Sequence, residues 1–187
     1  MRPADNPFRS ARMDSVPYRL RGASWEQLIR RVATRRGGWL EVVGPHGSGK
    51  TRLLRELETR LHAAGLAARY LRVGPRGQDV PGDTSLSGQV ILLDGIERAS
   101  AWRAFWIQRS LARRRPRAVV VARHEPGRAP RLYTCRTDLE LARGLVELLT
   151  PIAVPDEELR ALLDEHQGNL RGVFRALYDK MCGRTSG

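Results

Sequence analysis

Trp39-Leu40-Glu41-Val42-Val43-Gly44-Pro45-His46-Gly47-Ser48-Gly49-Lys50-Thr51 is a short apolar run leading into a glycine-rich loop. Beyond it Leu53, Leu54, Leu57 and Leu61 recur at helical spacing until Gly65. The order is strand, glycine loop, helix. Gly44 to Thr51 satisfies G-x-x-x-x-G-K-[ST] in the structural context that this pattern requires. Glycines let the backbone wrap phosphates, so that N–H groups and the start of the helix face the anion. Lys50 supplies a mobile positive charge to the β and γ phosphates, and Thr51 supplies a hydroxyl to Mg²⁺. The expected nucleotide contacts are therefore Gly44, Pro45, His46, Gly47, Ser48, Gly49, Lys50, Thr51 and the adjoining Arg52. His46 and Arg52 fill positions that the pattern leaves open, where packing at the phosphate rim or exposure to solvent is the default.

Working outward, Val90-Ile91-Leu92-Leu93 is an unbroken apolar run with Asp94 at its carboxyl end. That is the pattern of a strand buried on both faces of a parallel sheet. Downstream of a phosphate-binding loop, such an acid holds Mg²⁺ directly or through water, which makes Thr51 and Asp94 the expected metal ligands. Three residues on, Glu97 either orients or deprotonates an attacking water or charges the start of the next helix, and both roles stay open. Lys50, Asp94 and Glu97 form the expected catalytic set. Leu86-Ser87-Gly88-Gln89 matches the letters of the ABC transporter signature, but it abuts the strand instead of lying on a helix well upstream, so that function is excluded.

A helix is expected from Ser24, with Ser24 and Gln27 as a capping box and Gly37-Gly38 as its stop. Ala68 to Val73 is a second strand, followed by a polar Gly/Pro loop from Gly74 to about Gly88, long enough to be mobile or functional. A helix from Ser100 to Arg113, an apolar run from Ala118 to Ala122 and a weaker strand at Leu132 to Cys135 complete four or five strands alternating with helices, hence a parallel sheet. Trp102, Phe105 and Trp106 stand at i, i+3 and i+4, and are expected in the core rather than as a base-stacking platform. Helices are expected at Asp138 to Leu149, Asp156 to Glu165 and Leu170 to Cys182, with Pro151 and Pro155 between the first two. The chain thus divides into an extended, Pro-broken arm over 1–22, an α/β core over 23–136 and a helical segment over 137–187.

The 187 residues suffice for one α/β domain with a small appendage, not for two large domains. The net charge of +13 suits an anionic partner such as nucleic acid. However, Lys50 and Lys180 are the only lysines, and a GC-rich coding sequence gives such an arginine excess without selection for DNA contact. Cys135 and Cys182 have no Cys or His neighbour at metal-ligand spacing, so neither a zinc site nor a disulfide framework is indicated. No stretch has the apolar length of a signal peptide or a membrane span, so a cytoplasmic location is expected.

The phosphate loop, the strand ending Asp94-Gly95-Ile96-Glu97 and the turn Gly168-Asn169-Leu170-Arg171 together resemble the AAA+ and related STAND ATPases over Ser24 to Cys182. The resemblance implies a three-layer α/β P-loop NTPase fold with a parallel sheet and a small C-terminal helical lid. It further implies ATP and Mg²⁺ as ligands, and Arg171 as the lid arginine that reaches the γ-phosphate, although a surface role for one of many arginines stays open. The chain departs from the family at Gly95, where AAA+ proteins commonly place Glu, and at Arg123-His124, where a sensor Asn or Thr is expected. Neither that sensor nor an arginine finger is assigned. Arg171, Arg175 and Lys180 on the last helix also permit a helix-turn-helix reading. The apolar stripe Leu170, Val173, Phe174, Leu177, Tyr178 and Met181 favours packing as a lid instead. Three functions follow: an ATPase or ATP-gated switch that acts on a protein partner or a second copy, a small-molecule or nucleotide kinase, and a non-hydrolysing adaptor that contacts nucleic acid.

Overall fold

Ser24 closes the first turn of helix α1 (Trp25–Thr34) with the expected capping box in the computed structural model, which describes Phe8 and residues 16–74 and 85–183. Ser24 Oγ accepts from the Gln27 N–H at 3.3 Å, and Gln27 Oε1 accepts from the Ser24 N–H at 3.0 Å. Next come β1 (Gly38–Val43), α2 (Lys50–Ala63), β2 (Ala68–Arg72), β3 (Val90–Asp94), a 3-10 turn (Ile96–Arg98), α3 (Ala101–Arg113), β4 (Ala118–Arg123) and β5 (Arg131–Thr134). The middle of the loop expected from Gly74 to Gly88, residues 75–84, lies outside the described residues.

Every strand pair is parallel, and the order across the sheet is β2-β3-β4-β1-β5. Side chains alternate between the faces with the strand period of two. Leu40, Val42, Val90, Leu92, Val120 and Ala122 face the leucines of α2 together with Leu28 and Val32 of α1. Ile91, Leu93, Val119 and Val121 face the other way, onto Leu71, Ile96 and Leu111. Helices therefore cover both faces, and the three-layer α/β fold with a parallel sheet read from the sequence is present.

The aromatic residues of α3 overturn an expectation. Trp102, Phe105 and Trp106 are 67%, 55% and 44% exposed. Ala104, Ile107 and Leu111, at i, i+3 and i+7, are the residues that pack on the sheet. The helix carries two stripes at helical spacing, and periodicity alone does not say which of them meets the sheet.

These elements belong to the larger of two compact units, Tyr18–Gly44 with Gly49–Cys135. The other comprises Met1–Pro17, Pro45–Ser48 and Arg136–Gly187, and contains α4 (Leu139–Leu149), α5 (Asp156–Glu165) and α6 (Leu170–Met181). Asp138 caps α4 by accepting from the Leu141 N–H at 2.8 Å, and Asn169 caps α6 by accepting from the Arg171 N–H at 3.1 Å. The core of this unit is built on Leu149, Leu159, Val173, Phe174 and Leu177. Phe8 joins it from the segment read as an arm, stacking on Phe174 with ring centroids 5.8 Å apart. Tyr18 and Leu20 pack against the core of the larger unit. Among the described residues no helix is long and apolar enough to cross a membrane.

A charged side chain is buried in the middle of β1. Glu41 of β1, 2% exposed, accepts hydrogen bonds from the Gly127 N–H at 2.8 Å and the Ala129 N–H at 3.4 Å, and lies 3.3 Å from Arg123 Nε. It holds the segment joining β4 to β5. Glu41→Ala strands these donors, and a loss of about 2 kcal/mol in urea unfolding is expected; an unchanged midpoint would show that the segment is held without the carboxylate.

Candidate functional site

β1 delivers the chain to Gly44, whose N–H donates to the Arg123 carbonyl at 3.1 Å. Beyond it Ser48 Oγ donates to the Pro45 carbonyl at 2.9 Å. The loop then reverses at Gly49, which caps α2 in the left-handed conformation with φ at 84°. A Cβ there would come within 2.9 Å of the Tyr18 ring, so backbone and packing both exclude a side chain. Gly47 is left-handed as well, and in the smaller unit a Cβ on it would overlap the Asn169 side chain.

Lys50, the first residue of α2, is buried. Its Nζ donates to the Gly44 carbonyl at 2.7 Å and lies 3.2 Å from His124 Nδ1. Burial pulls its pKa down, and the nearby Glu97 carboxylate opposes that shift. His124, just past β4, places Nε2 at 2.6 Å from Glu97 Oε1. Because β4 lies between β1 and β3, His124 stands between Lys50 and Glu97 and joins them in one polar row.

Asp94 closes β3 and is 8% exposed. Its Oδ2 accepts from Thr51 Oγ1 and from Tyr70 Oη, both at 2.7 Å. Burial, and then the hydrogen bond to Asp94, keep the Tyr70 phenol protonated well above its ordinary range. The Arg55 guanidinium lies 4.3 Å over the centre of the same ring. Thr51 and Asp94 thus present two hard oxygen donors side by side. That donor set fits Mg²⁺, which takes one or two protein oxygens and completes its shell with phosphate and water. Among the described residues no cluster of three His, Cys, Asp or Glu forms an all-protein cage.

Of the residues expected from sequence, Gly44, Gly49, Lys50, Thr51, Arg52, Asp94 and Glu97 lie in the larger unit. Pro45, His46, Gly47 and Ser48 belong to the smaller one, as does Arg171, which is exposed in the first turn of α6. Two residues of this network were given no role from the sequence: His124, noted only as a departure from the family's sensor, and Tyr70. His124 had a weak signal as the polar residue ending an apolar run, whereas Tyr70 had none, since only the pairing of β2 with β3 sets it beside Asp94.

A parallel sheet in this order, with a glycine loop after β1 and an acid closing β3, is an AAA+-like α/β fold. Three solved structures resemble it. A DNA replication initiation factor has 15% sequence identity and a TM-score of 0.57, over 86% of this chain and 60% of that one. Domain III of the Thermotoga maritima replication initiation protein DnaA has 13% identity and a TM-score of 0.54, over 87% and 85%. The replication initiator DnaA bound to AMPPCP and single-stranded DNA has 13% identity and a TM-score of 0.53, over 83% and 59%. The likeness is one of fold, and the chain spans about three fifths of the length of the first and third of these proteins. No protein-family model matches the sequence, and no curated protein matches it either.

Gly49→Ala is expected to lower stability by about 1–2 kcal/mol through the left-handed backbone alone. Thermal unfolding checks this, and adding Tyr18→Ala removes the ring contact without recovering the backbone part of the loss.

Proposed function

We propose that this chain binds ATP with Mg²⁺ on the loop from Gly44 to Arg52 and works as an ATP-dependent switch that hydrolyses its nucleotide. The observation that carries this reading is the buried Lys50 ammonium, held by the Gly44 carbonyl and His124 beside the Thr51–Asp94 pair. An ammonium kept out of water gains most from an arriving polyphosphate, because desolvation has already weakened its hydration. In this reading the loop N–H groups and the start of α2 receive the phosphates, and Lys50 exchanges its protein acceptors for β and γ oxygens. Thr51 and Asp94 would hold Mg²⁺, which when bound neutralises charge developing on the phosphates. Glu97, fastened to His124, orients the attacking water and takes its proton. His124 occupies the place at the end of β4 where the family keeps a sensor, and it ties the state of Lys50 to that of Glu97. Arg171 is assigned the γ-phosphate-sensing role that the resemblance implies. The AMPPCP held by the DnaA structure supports nucleotide as the ligand.

A nucleic-acid partner is the second element of the proposal. The net charge of +13 supports it, as does the single-stranded DNA held by the same DnaA structure.

Steady-state phosphate release and calorimetric ATP binding test the nucleotide site. Lys50→Ala is expected to weaken ATP binding about 100-fold, and full affinity in that variant would overturn the site. Glu97→Gln is expected to bind ATP normally while phosphate release falls by about 10²–10⁴. Equal turnover in Glu97→Gln and the parent would return Glu97 to a merely structural role. Arg171→Ala is expected to lose ATP affinity and to leave ADP affinity unchanged, and equal effects on both would remove the sensing role.

A further inference from the structure

We propose that the outward stripe of α3, formed by Trp102, Phe105, Trp106, Arg109 and Arg113, is a stacking platform for single-stranded nucleic acid. This names a surface for the nucleic-acid contact proposed above and rests on that reading. The stripe is not part of the core, since α3 packs on the sheet through Ala104, Ile107 and Leu111. Three large aromatic side chains are left in water, a costly arrangement that in a small protein marks a binding surface.

The rings are organised against one another. Trp102 and Phe105 lie within 28° of parallel with centroids 6.4 Å apart, and Trp106 stands nearly perpendicular to both, at 5.5 Å from Trp102 and 5.9 Å from Phe105. The exposed parts of these rings offer flat surfaces to a base, and every base has a flat surface to return, so recognition is tolerant of sequence.

The charges continue the same line. Arg109 and Arg113 follow Trp102, Phe105 and Trp106 along the exposed face at helical spacing, about 6 Å apart along the axis. From Ser100 to Arg117 there are six arginines and no acidic residue. Arg103 and Arg117 are engaged with the carbonyls of Gly74 and Ala33, whereas Arg109, Arg113 and Arg115 are exposed. Beside the rings an open groove of about 530 Å³ is lined by Trp39, Phe105, Gln108, Arg109, Ala112 and Arg113. Trp, Phe and Arg are enriched at protein interfaces as well, and it is the run of six arginines without one acid that selects a polyanion. Here two guanidinium groups and an amide line the groove together with two aromatic side chains. A polyanion carrying flat rings matches that chemistry, and the unstacked bases of a single strand can reach it while those of a duplex cannot.

Anisotropy of a fluorescein-labelled oligothymidylate of about fifteen nucleotides, titrated with the full chain at several salt concentrations, tests the proposal. Trp102→Ala with Phe105→Ala and Trp106→Ala is expected to weaken binding at least tenfold. Its unfolding midpoint is expected to stay near that of the parent, because the three side chains are exposed. Trp102→Phe with Trp106→Phe keeps aromatic faces and is expected to retain most of the affinity. Arg109→Gln with Arg113→Gln is expected to reduce the slope of log affinity against log salt by about 1.4. No binding by the parent chain would end the nucleic-acid reading as a whole. Binding that the aromatic variants leave unchanged would overturn this surface alone, and a variant that binds the strand normally but changes oligomeric state would reassign the stripe to a protein contact.

Discussion

Strand β4 is hydrogen-bonded along both edges, to β1 over Gly38↔Ala118 through Val43↔Arg123 and to β3 over Val90↔Ala118 through Leu93↔Val121. Everything at the candidate site follows from that double pairing. Parallel strands in register end together, so the glycine loop after β1, the polar end of β4 and the acid of β3 meet at one carboxyl edge. In open α/β sheets that edge is where ligands bind. Val119, Val120 and Val121 are buried on both faces of the sheet, which ties the placement of the site to the hydrophobic core.

The site holds polar groups in a partly dry setting and satisfies them internally. Lys50, Thr51, Asp94, Glu97 and His124 are bonded to one another or to backbone, so none of them needs a ligand in order to be tolerated. Such networks are stiff, and a stiff site loses less entropy when it closes on a ligand. Tyr70 and Arg55 extend the order outward from Asp94 to the neighbouring strand and helix. The buried Glu41 does similar work further along β1, anchoring the segment between β4 and β5 through two backbone donors.

Helix α3 shows a second division of labour. Small and aliphatic residues fill its contact with the sheet, and its aromatic residues stand outside. Burying Trp102, Phe105 and Trp106 is worth more than burying Ala104, Ile107 and Leu111. Area burial alone would favour the opposite face, yet Ala104, Ile107 and Leu111 are the residues that meet Leu71, Val73, Leu86 and Ile96 in the core.

The sequence by itself determined the element order nearly residue by residue, the glycine loop, the Thr51–Asp94 pair and the capping box of α1. These signals are local: period in apolar residues, left-handed glycines and side chains that cap within three positions. A P-loop type of α/β fold was legible for the same reason, since strand, glycine loop and helix are contiguous, whereas the likeness to AAA+ domains came from the resemblance of several motifs together. Only the tertiary structure decided the order of the strands, and with it the partners His124 and Tyr70, which are separated from Lys50 and Asp94 by 74 and 24 positions. It also decided which of two equally periodic stripes on α3 faces the sheet. Periodicity specifies a face of a helix but carries no information about the volume waiting opposite it, and that volume is set by side chains from strands far away in the chain.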